Sequence, residues 1–432
     1  MDGREYDVIV GGGGSAGVAA AIGAARTGAR VALVESAGAL GGASTMKNVL
    51  TYCGFYTLGE PTHQAVFGVG EELLAALRAR GAVTAPLRHR GVYLVFDPEA
   101  VKVALDELCA AAGVEVFLHA FITAASRQGD RVVDLTYHDH GGAHRLAGAA
   151  FVDATGECDL AHLAGASTRY GSNGSANLGT LGIRFGGVPH EVAVTAEQLE
   201  TAIVDAKARG VGPLSKSASV LVRLPISGDL SCYLVSEDYD PRDVRSTSRA
   251  EAHGRTQAWA YLEVLRTLPG CERAYLASTG PEFGTRESRH VEAVRRLTWD
   301  DVVASWSFDD TIALGAWAAE WHDRVTMEST FEVPPGGGAY AIPLRTLASV
   351  DTPNLFAAGR AIDADRKAGA SVRVMGTAFA TGQAAGVAAA SIAQDGRADA
   401  DLVRATLRAQ GALIDLAALA DQPVVAVRPS LR

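Results

Sequence analysis

Apolar residues in this 432-residue chain fall into runs of distinct period, and each period predicts an element. Short unbroken runs, YDVIV (6–10) and ARVALVES (29–36), fit strands buried on both faces. Between them, SAGVAAAIGAARTG has helical length and stops at Gly28. Amphipathic spacing predicts helices over EELLAALRARG (71–81) and DPEAVKVALDELCAAAG (97–113), the second with Asp97 as N-cap and Gly113 as stop. From Val114 to Gly156 the pattern is a series of strands with turns at Gln128-Gly129-Asp130 and Gly141-Gly142. These elements make a βαβ unit carrying an inserted antiparallel meander.

Beyond about Thr168 the character changes. Strand-like SASVLVRLP and LSCYLVSE precede a long predicted helix, TSRAEAHGRTQAWAYLEVLRTLPG (247–270). All five tryptophans lie between 168 and 340, which suits a second core. YAIPLRTL and NLFAAGR then return to short buried strands, so the simplest topology is a first domain split by an inserted one. The run from Thr377 to Ala393 has the length of a membrane span, but Ala and Gly dominate it and Gln383 sits inside, so it is too weakly apolar.

Charge and composition narrow the function. A formal charge of −10 and the lack of a basic cluster weigh against nucleic acid. Five cysteines without a C-x-x-C pair fit a reducing compartment and give no zinc or iron–sulfur signature; no metal site is expected. His138, His140 and His144 fall on a predicted polar hairpin. No signal peptide precedes the first strand, so a soluble cytoplasmic protein with no membrane partner is expected. Arg far exceeds Lys among abundant Ala and Gly, which points to a GC-rich bacterial gene.

Gly12, Gly14 and Gly17 form G-x-G-x-x-G between a strand and a helix. The first permits the tight turn, the second lets backbone approach a pyrophosphate, and the third lets helix pack on strand. Glu35, at the end of the second strand, is placed to accept from ribose hydroxyls and would repel a 2′-phosphate. The motif alone leaves NAD and FAD both open.

Four blocks resemble the FAD-dependent oxidoreductase family of glutathione-reductase-like two-domain flavoproteins, over nearly the whole chain. VALVESAGALGG resembles the stretch from the ribose acid to a Gly-Gly pair backing the pyrophosphate. FVDATGECDLAHLAGAS resembles the ATG-x-x-D-LA segment; GTRESRHVEAVRRLT with FDDTIALGAWAAEWHD resembles the G-x-R-E-S-R block and its His-Asp ending. NLFAAGRAIDADRKAGASVRVMGTAFATGQAAG resembles the flavin-closing segment. The resemblance implies an α/β fold: a Rossmann-like FAD-binding domain (1–167 and 340–395) interrupted by an α+β substrate or cap domain (168–339), with a C-terminal helical tail (396–432). It implies FAD, held by Gly12, Gly14, Ser15, Ala16, Gly17, Glu35, Ser36, Gly41, Gly42, Ala43, Ser44, Ala120, Ala154, Thr155, Gly156 and Asp159. On the C-terminal side it adds Gly359, Arg360, Asp363, Gly376, Thr377 and Ala378. Gly359 and Asp363 are expected near the ribityl chain and pyrophosphate. The helix starting near Thr377 is expected to aim its N-terminus at the N1–C2=O edge of the flavin, its small residues leaving room for the ring.

The implied activity is hydride transfer from a small organic substrate to non-covalently bound FAD, by a dehydrogenase or oxidase. A flavin-dependent reductase of an activated double bond is the alternative among enzymes. A flavoprotein RNA-modification or assembly factor is the alternative of another class. No second dinucleotide motif follows a strand, so electrons are expected to come from the substrate and leave to oxygen or another acceptor; the oligomeric state stays open. Arg286 is placed to hold a substrate carboxylate or to pair with Glu287. His322, next to Asp323, is a proton acceptor or a helix-end cap. Arg373 would stabilise reduced flavin or bind substrate. Tyr52, Cys53 and Tyr56 are expected to wall the substrate pocket, Cys53 as an inert thiol.

Overall fold

In the computed structural model, which describes residues 5–430, the two apolar runs near the N-terminus are neighbouring parallel strands. β1 (Tyr6–Gly11) and β2 (Val31–Val34) are joined by α1 (Ser15–Ala25), which is buried almost throughout. α2 (Pro98–Ala112) starts on Asp97, whose carboxylate accepts from the Glu99 amide at 3.2 Å, and stops at Gly113 with φ +74°. β3 (Glu115–Phe117) pairs with β2 in parallel. The meander follows as β4 (Phe121–Gln128), β5 (Arg131–Asp139) and β6 (Gly142–Asp153), turning at Gly129 and Gly142, both at positive φ.

β6 serves two partners along its length. Residues 142–147 pair antiparallel with β5, and residues 148–153 pair in parallel with β1. It therefore delivers the loop after Asp153 beside the glycine-rich turn.

A second, antiparallel sheet of four strands lies further along the chain: β7 (Gly179–Gly186), β8 (Leu221–Arg223), β9 (Leu230–Glu237) and β10 (Tyr275–Thr279), in the order β8-β9-β7-β10. α3 (Ala196–Ala208) and α4 (Val244–Leu265) pack with it, and their apolar residues form one cluster that includes Leu181, Ile203, Leu234 and Leu262. The tryptophans do not build that cluster, contrary to expectation. Trp299 and Trp317 are buried in the main core, while Trp259 and Trp306 are more than half exposed. Their neighbours explain it: the chain around 297–347 packs against the first sheet and its helices rather than the second sheet.

β11 (Ala319–His322) precedes the return strand β12 (Leu355–Ala357), which pairs with β6 and completes a parallel row β3-β2-β1-β6-β12. α5 (Met375–Asp395) then lies directly on α1. No helix among the described residues is long and apolar enough to cross a membrane.

Candidate functional site

The glycine-rich turn is shaped by its neighbours. Gly12 has φ +92°, and a Cβ there would lie 2.4 Å from the Ala154 carbonyl oxygen; one at Gly17 would lie 1.7 Å from the Gly12 oxygen. Gly14 differs: a Cβ there would meet only the Gly42 Cα, at 3.9 Å, so it borders open space. The Gly41 amide donates to the Gly13 carbonyl at 2.8 Å and the Ser44 hydroxyl to the Gly41 carbonyl at 2.9 Å, fixing the Gly-Gly pair beside the turn. Glu35 accepts from the Gly13 amide at 2.6 Å, from the Ala37 amide at 2.7 Å and from the Ser36 hydroxyl at 3.0 Å, so here it braces the loop. Ala120 reaches it through its amide, bonded to the Glu35 carbonyl.

Two helix starts converge here. The N-cap of α1 is Gly14 and that of α5 is Val374; neither supplies a capping side chain, and neither first turn holds an acid. The other described helices of ten or more residues have a capping Asp or Thr, or, in Val69–Ala79, Glu71 and Glu72 in the first turn. Uncapped starts keep amide donors and the positive dipole end available to an anion or to a developing negative charge. The buried hydroxyls of Ser15 and Thr377, in these first turns, have no hydrogen-bond partner. Gly359, at φ +67°, meets both helices: a Cβ there would lie 3.1 Å from Ala16 Cβ and 3.8 Å from Ala378 Cβ. This donor set and this backbone cradle fit a dinucleotide lying across both helix starts.

The glycines further along α5 have another reason. A Cβ at Gly382 would stand 2.1 Å from the Ala16 oxygen, and one at Gly386 1.9 Å from the Ala20 oxygen. A Cβ at Gly376 would stand 2.6 Å from the Cys53 oxygen. The small-residue stripe is thus set by the backbone of α1 and of the 53–55 segment rather than by a ring.

Beyond the loop, Thr155 donates to Asp153 through its amide and hydroxyl, at 3.0 and 2.7 Å, and Gly156 lies under the Arg360 guanidinium. Arg360 donates to Glu157 at 2.5 Å. Burial works against the Glu157 charge, but Arg360 holds its carboxyl below the usual range. Two of the predicted carboxylates face elsewhere. Asp363 accepts from Arg169 at 3.0 Å, from Arg296 at 2.9 Å and from the Ala293 amide at 3.2 Å, so it ties three segments together. Asp159 pairs with Arg289 at 3.0 Å.

A cavity of about 320 Å³ opens next to the start of α5. Its lining includes Ala43, Cys53, Arg360, Arg373 and Met375, together with Lys216, Tyr233, Arg286, Glu320 and His322. Thr51 and Cys53 point into it, while strand alternation turns Tyr52 away. Tyr52 is fully buried and stacks on Phe96 with centroids 4.0 Å apart, so it is a core residue and not a pocket wall. Tyr56 likewise tilts against Phe55 in the core. Burial pushes the Cys53 thiol up, which keeps it protonated.

Arg286 does not pair with Glu287. Its Nη1 donates to the Leu178 and Gly179 carbonyls at 2.8 and 3.0 Å, and it has no carboxylate partner among the described residues. Glu287 instead accepts from the Asn177 amide at 2.7 Å and faces His290. Arg373 donates to the Glu320 carbonyl at 3.1 Å and leaves its buried Nε unpartnered. Burial disfavours the charge of both arginines, and for Arg286 the nearby Arg373 adds to this.

His322 points into the cavity, but Asp323 does not orient it. Asp323 accepts from the Val325 and Thr326 amides at 2.9 and 2.8 Å in its own turn. β11 ends at His322, so Asp323 already belongs to the turn that follows. Burial, followed by Arg286, Lys216, Arg373 and Arg90, holds the imidazole well below its ordinary value, hence neutral. On the exposed hairpin, His144 bonds Asp139 at 2.9 Å and stacks on Tyr137.

Lys216 was not visible from sequence, because PLSKSASV has no period or motif to mark it. Glu157 falls on an unspecified position of the ATG-x-x-D-LA segment, so that pattern does not mark it.

The sequence model of the FAD dependent oxidoreductase family matches residues 7–410. No curated protein matches the sequence. Among solved structures, a geranylgeranyl bacteriochlorophyll reductase-like protein from Thermoplasma acidophilum is similar at 12% identity and TM-score 0.49, over 94% of this chain and 82% of that one. A p-nitrophenol 4-monooxygenase from Pseudomonas putida DLL-E4 is similar at 13% identity and TM-score 0.48, over 93% and 83%. An anhydrotetracycline hydroxylase from Streptomyces rimosus is similar at 13% identity and TM-score 0.45, over 94% and 65%.

Proposed function

The chain belongs to the FAD dependent oxidoreductase family, and from that premise we propose that it takes hydride from a small substrate bearing a carboxylate, as a dehydrogenase or oxidase. FAD, when bound, supplies the two-electron acceptor. The observation that carries the carboxylate is Arg286: a half-buried guanidinium on a cavity wall, bonded to two carbonyls and with no acidic partner among the described residues. A buried cation without a counter-ion is costly, and a substrate carboxylate would relieve that cost while being held by two parallel N–H bonds.

The rest of the cavity supports the same substrate. Arg373 and Arg90 add positive potential, and Trp317 and Phe331 give an apolar wall that excludes water. FAD would be held by the Gly12–Gly17 turn, the Gly41–Gly42 pair, Gly359 and the two helix starts, with Arg360 beside Gly156.

The test is anaerobic. The flavin absorbance of the purified holoprotein is followed on adding 2-hydroxy and 2-amino carboxylates, each beside its uncharged ester. Bleaching by acids and not by esters supports the reading. Bleaching by both alike removes the role of Arg286. Failure of every donor, together with reoxidation of the dithionite-reduced protein by unsaturated acids, would reverse the direction of electron flow.

A further inference from the structure

The five lysines of the chain divide four to one. Lys47, Lys102 and Lys367 are ion-paired with Glu282, Glu99 and Glu332, and Lys207 donates to Ser215 and Ser217. Lys216 is the exception. It is 4% exposed, yet its Nζ has neither a carboxylate within ion-pairing distance nor a hydrogen-bond partner among the described residues.

Its root is fixed. The Tyr261 hydroxyl accepts from the Lys216 amide at 2.8 Å and donates to the Lys216 carbonyl at 2.7 Å. The next amide, of Ser217, donates to Glu328 at 2.8 Å. These bonds hold the backbone on both sides, and the side chain lines the same cavity as Arg286, His322 and the first residues of α5. A buried amine that the fold positions but does not satisfy has its partner in the ligand.

We propose that Lys216 Nζ is the proton acceptor of the reaction, removing the proton from the substrate's hydroxyl or amino group as the adjacent carbon gives up hydride. This rests on the hydride-transfer reading above. The C–H bond breaks with its electron pair going to FAD, and the O–H or N–H bond breaks with its proton going to Nζ. A C=O or C=N bond forms in their place. Two electrons leave the substrate, and the proton passes to water once the product has left.

The surroundings favour this amine over the imidazole. His322 has the Glu320 carboxylate 3.9 Å from its Nε2, but burial and the ring of Arg286, Lys216, Arg373 and Arg90 outweigh it, so a second proton there meets an excess of cations. Lys216 has a mixed environment. Burial pushes its ammonium down to about 8, Arg286 and Arg90 add to that, and Glu320 and Glu328 oppose it. Cys232 and the neutral His322 also face it. A base near the working pH can be free to accept a proton and still strong enough to take it.

The experiment uses holoprotein carrying 13Cε/15Nζ-labelled lysine, with Lys216→Arg to assign the signal. The signal lost in Lys216→Arg is expected to titrate near 8. If every lysine titrates in the ordinary range, the proposal is overturned. Anaerobic flavin bleaching by 2-hydroxy and 2-amino carboxylates is then compared in wild type, Lys216→Arg and Lys216→Met, each checked for an unaltered flavin spectrum. Both variants are expected to slow at least about 100-fold, with substrate Kd changed only a few-fold and the rise in rate with pH lost. Arginine keeps the charge but cannot release its proton, so a Lys216→Arg enzyme that keeps its rate overturns the proposal. If the wild type is bleached by no donor although Lys216 titrates near 8, the hydride-transfer reading itself has failed, and the role assigned to Lys216 goes with it.

Discussion

The carbonyl oxygen of Ala20 occupies the place where a side chain at Gly386 would stand: a methyl carbon there would lie 1.9 Å from it. Contact at this distance explains why α1 and α5 share a stripe of small residues. Both helices must come within backbone reach for their two starts to face one ligand.

Gly386→Ala should therefore force the helices apart and destabilise the protein by about 1–3 kcal/mol or more, as overpacking does. Gly14→Ala should leave stability within about 0.5 kcal/mol, since its Cβ would meet nothing nearer than Gly42 Cα at 3.9 Å, but should weaken FAD binding. Urea unfolding and FAD titration on both variants check the contrast. Equal loss of stability in the two would mean that the open space beside Gly14 is not real.

Arg286→Leu removes a half-buried cavity guanidinium that has no carboxylate partner among the described residues, while leaving the nucleotide loop intact. Substrate affinity should fall about 10- to 100-fold, the worth of a charge-assisted hydrogen-bond pair. FAD affinity should hold. Difference spectra on ligand addition give both numbers.

The hydroxyl of Tyr52 is buried without a partner. Tyr52→Phe should be neutral or stabilising by up to about 1 kcal/mol, because no hydrogen bond is lost and a polar group leaves the core. Thermal unfolding and the flavin spectrum test this. A Tyr52→Phe protein with slowed flavin reduction would return Tyr52 to the reacting site.

His322 gives a pH signature. Its folded value lies well below 6.5, while in the unfolded chain it takes the ordinary value. Over that interval the unfolded state binds the extra proton, so stability falls as pH drops through 6.5 and below. His322→Gln should lose less stability than wild type between pH 7.5 and 5.5, as read from urea midpoints. Parallel losses would show that the imidazole is already charged in the folded protein.

Local rules act over a few residues, and what depends on them was legible along the chain. The strand–turn–helix start at Gly12–Gly17 follows from steric limits on positive φ and close approach, the Asp97 and Gly113 ends of α2 from unsatisfied helix termini, and the meander from alternation and turn glycines. Family membership was legible for the same reason, since its motifs are short. The cavity was not. Its walls come from Thr51, Lys216, Arg286, His322 and Arg373, which no period or spacing connects. Packing chose among directions the sequence left equal. It turned Tyr52 into the core and Cys53 out of it, set His322 into the cavity and Asp323 into the turn after β11, and engaged Asp363 with Arg169 and Arg296. It also left Arg286 without a carboxylate, and the Lys216 amine without a hydrogen-bond or ion-pair partner, among the described residues. Whether a charged side chain is paired depends on which distant segments arrive beside it, and only the folded chain decides that.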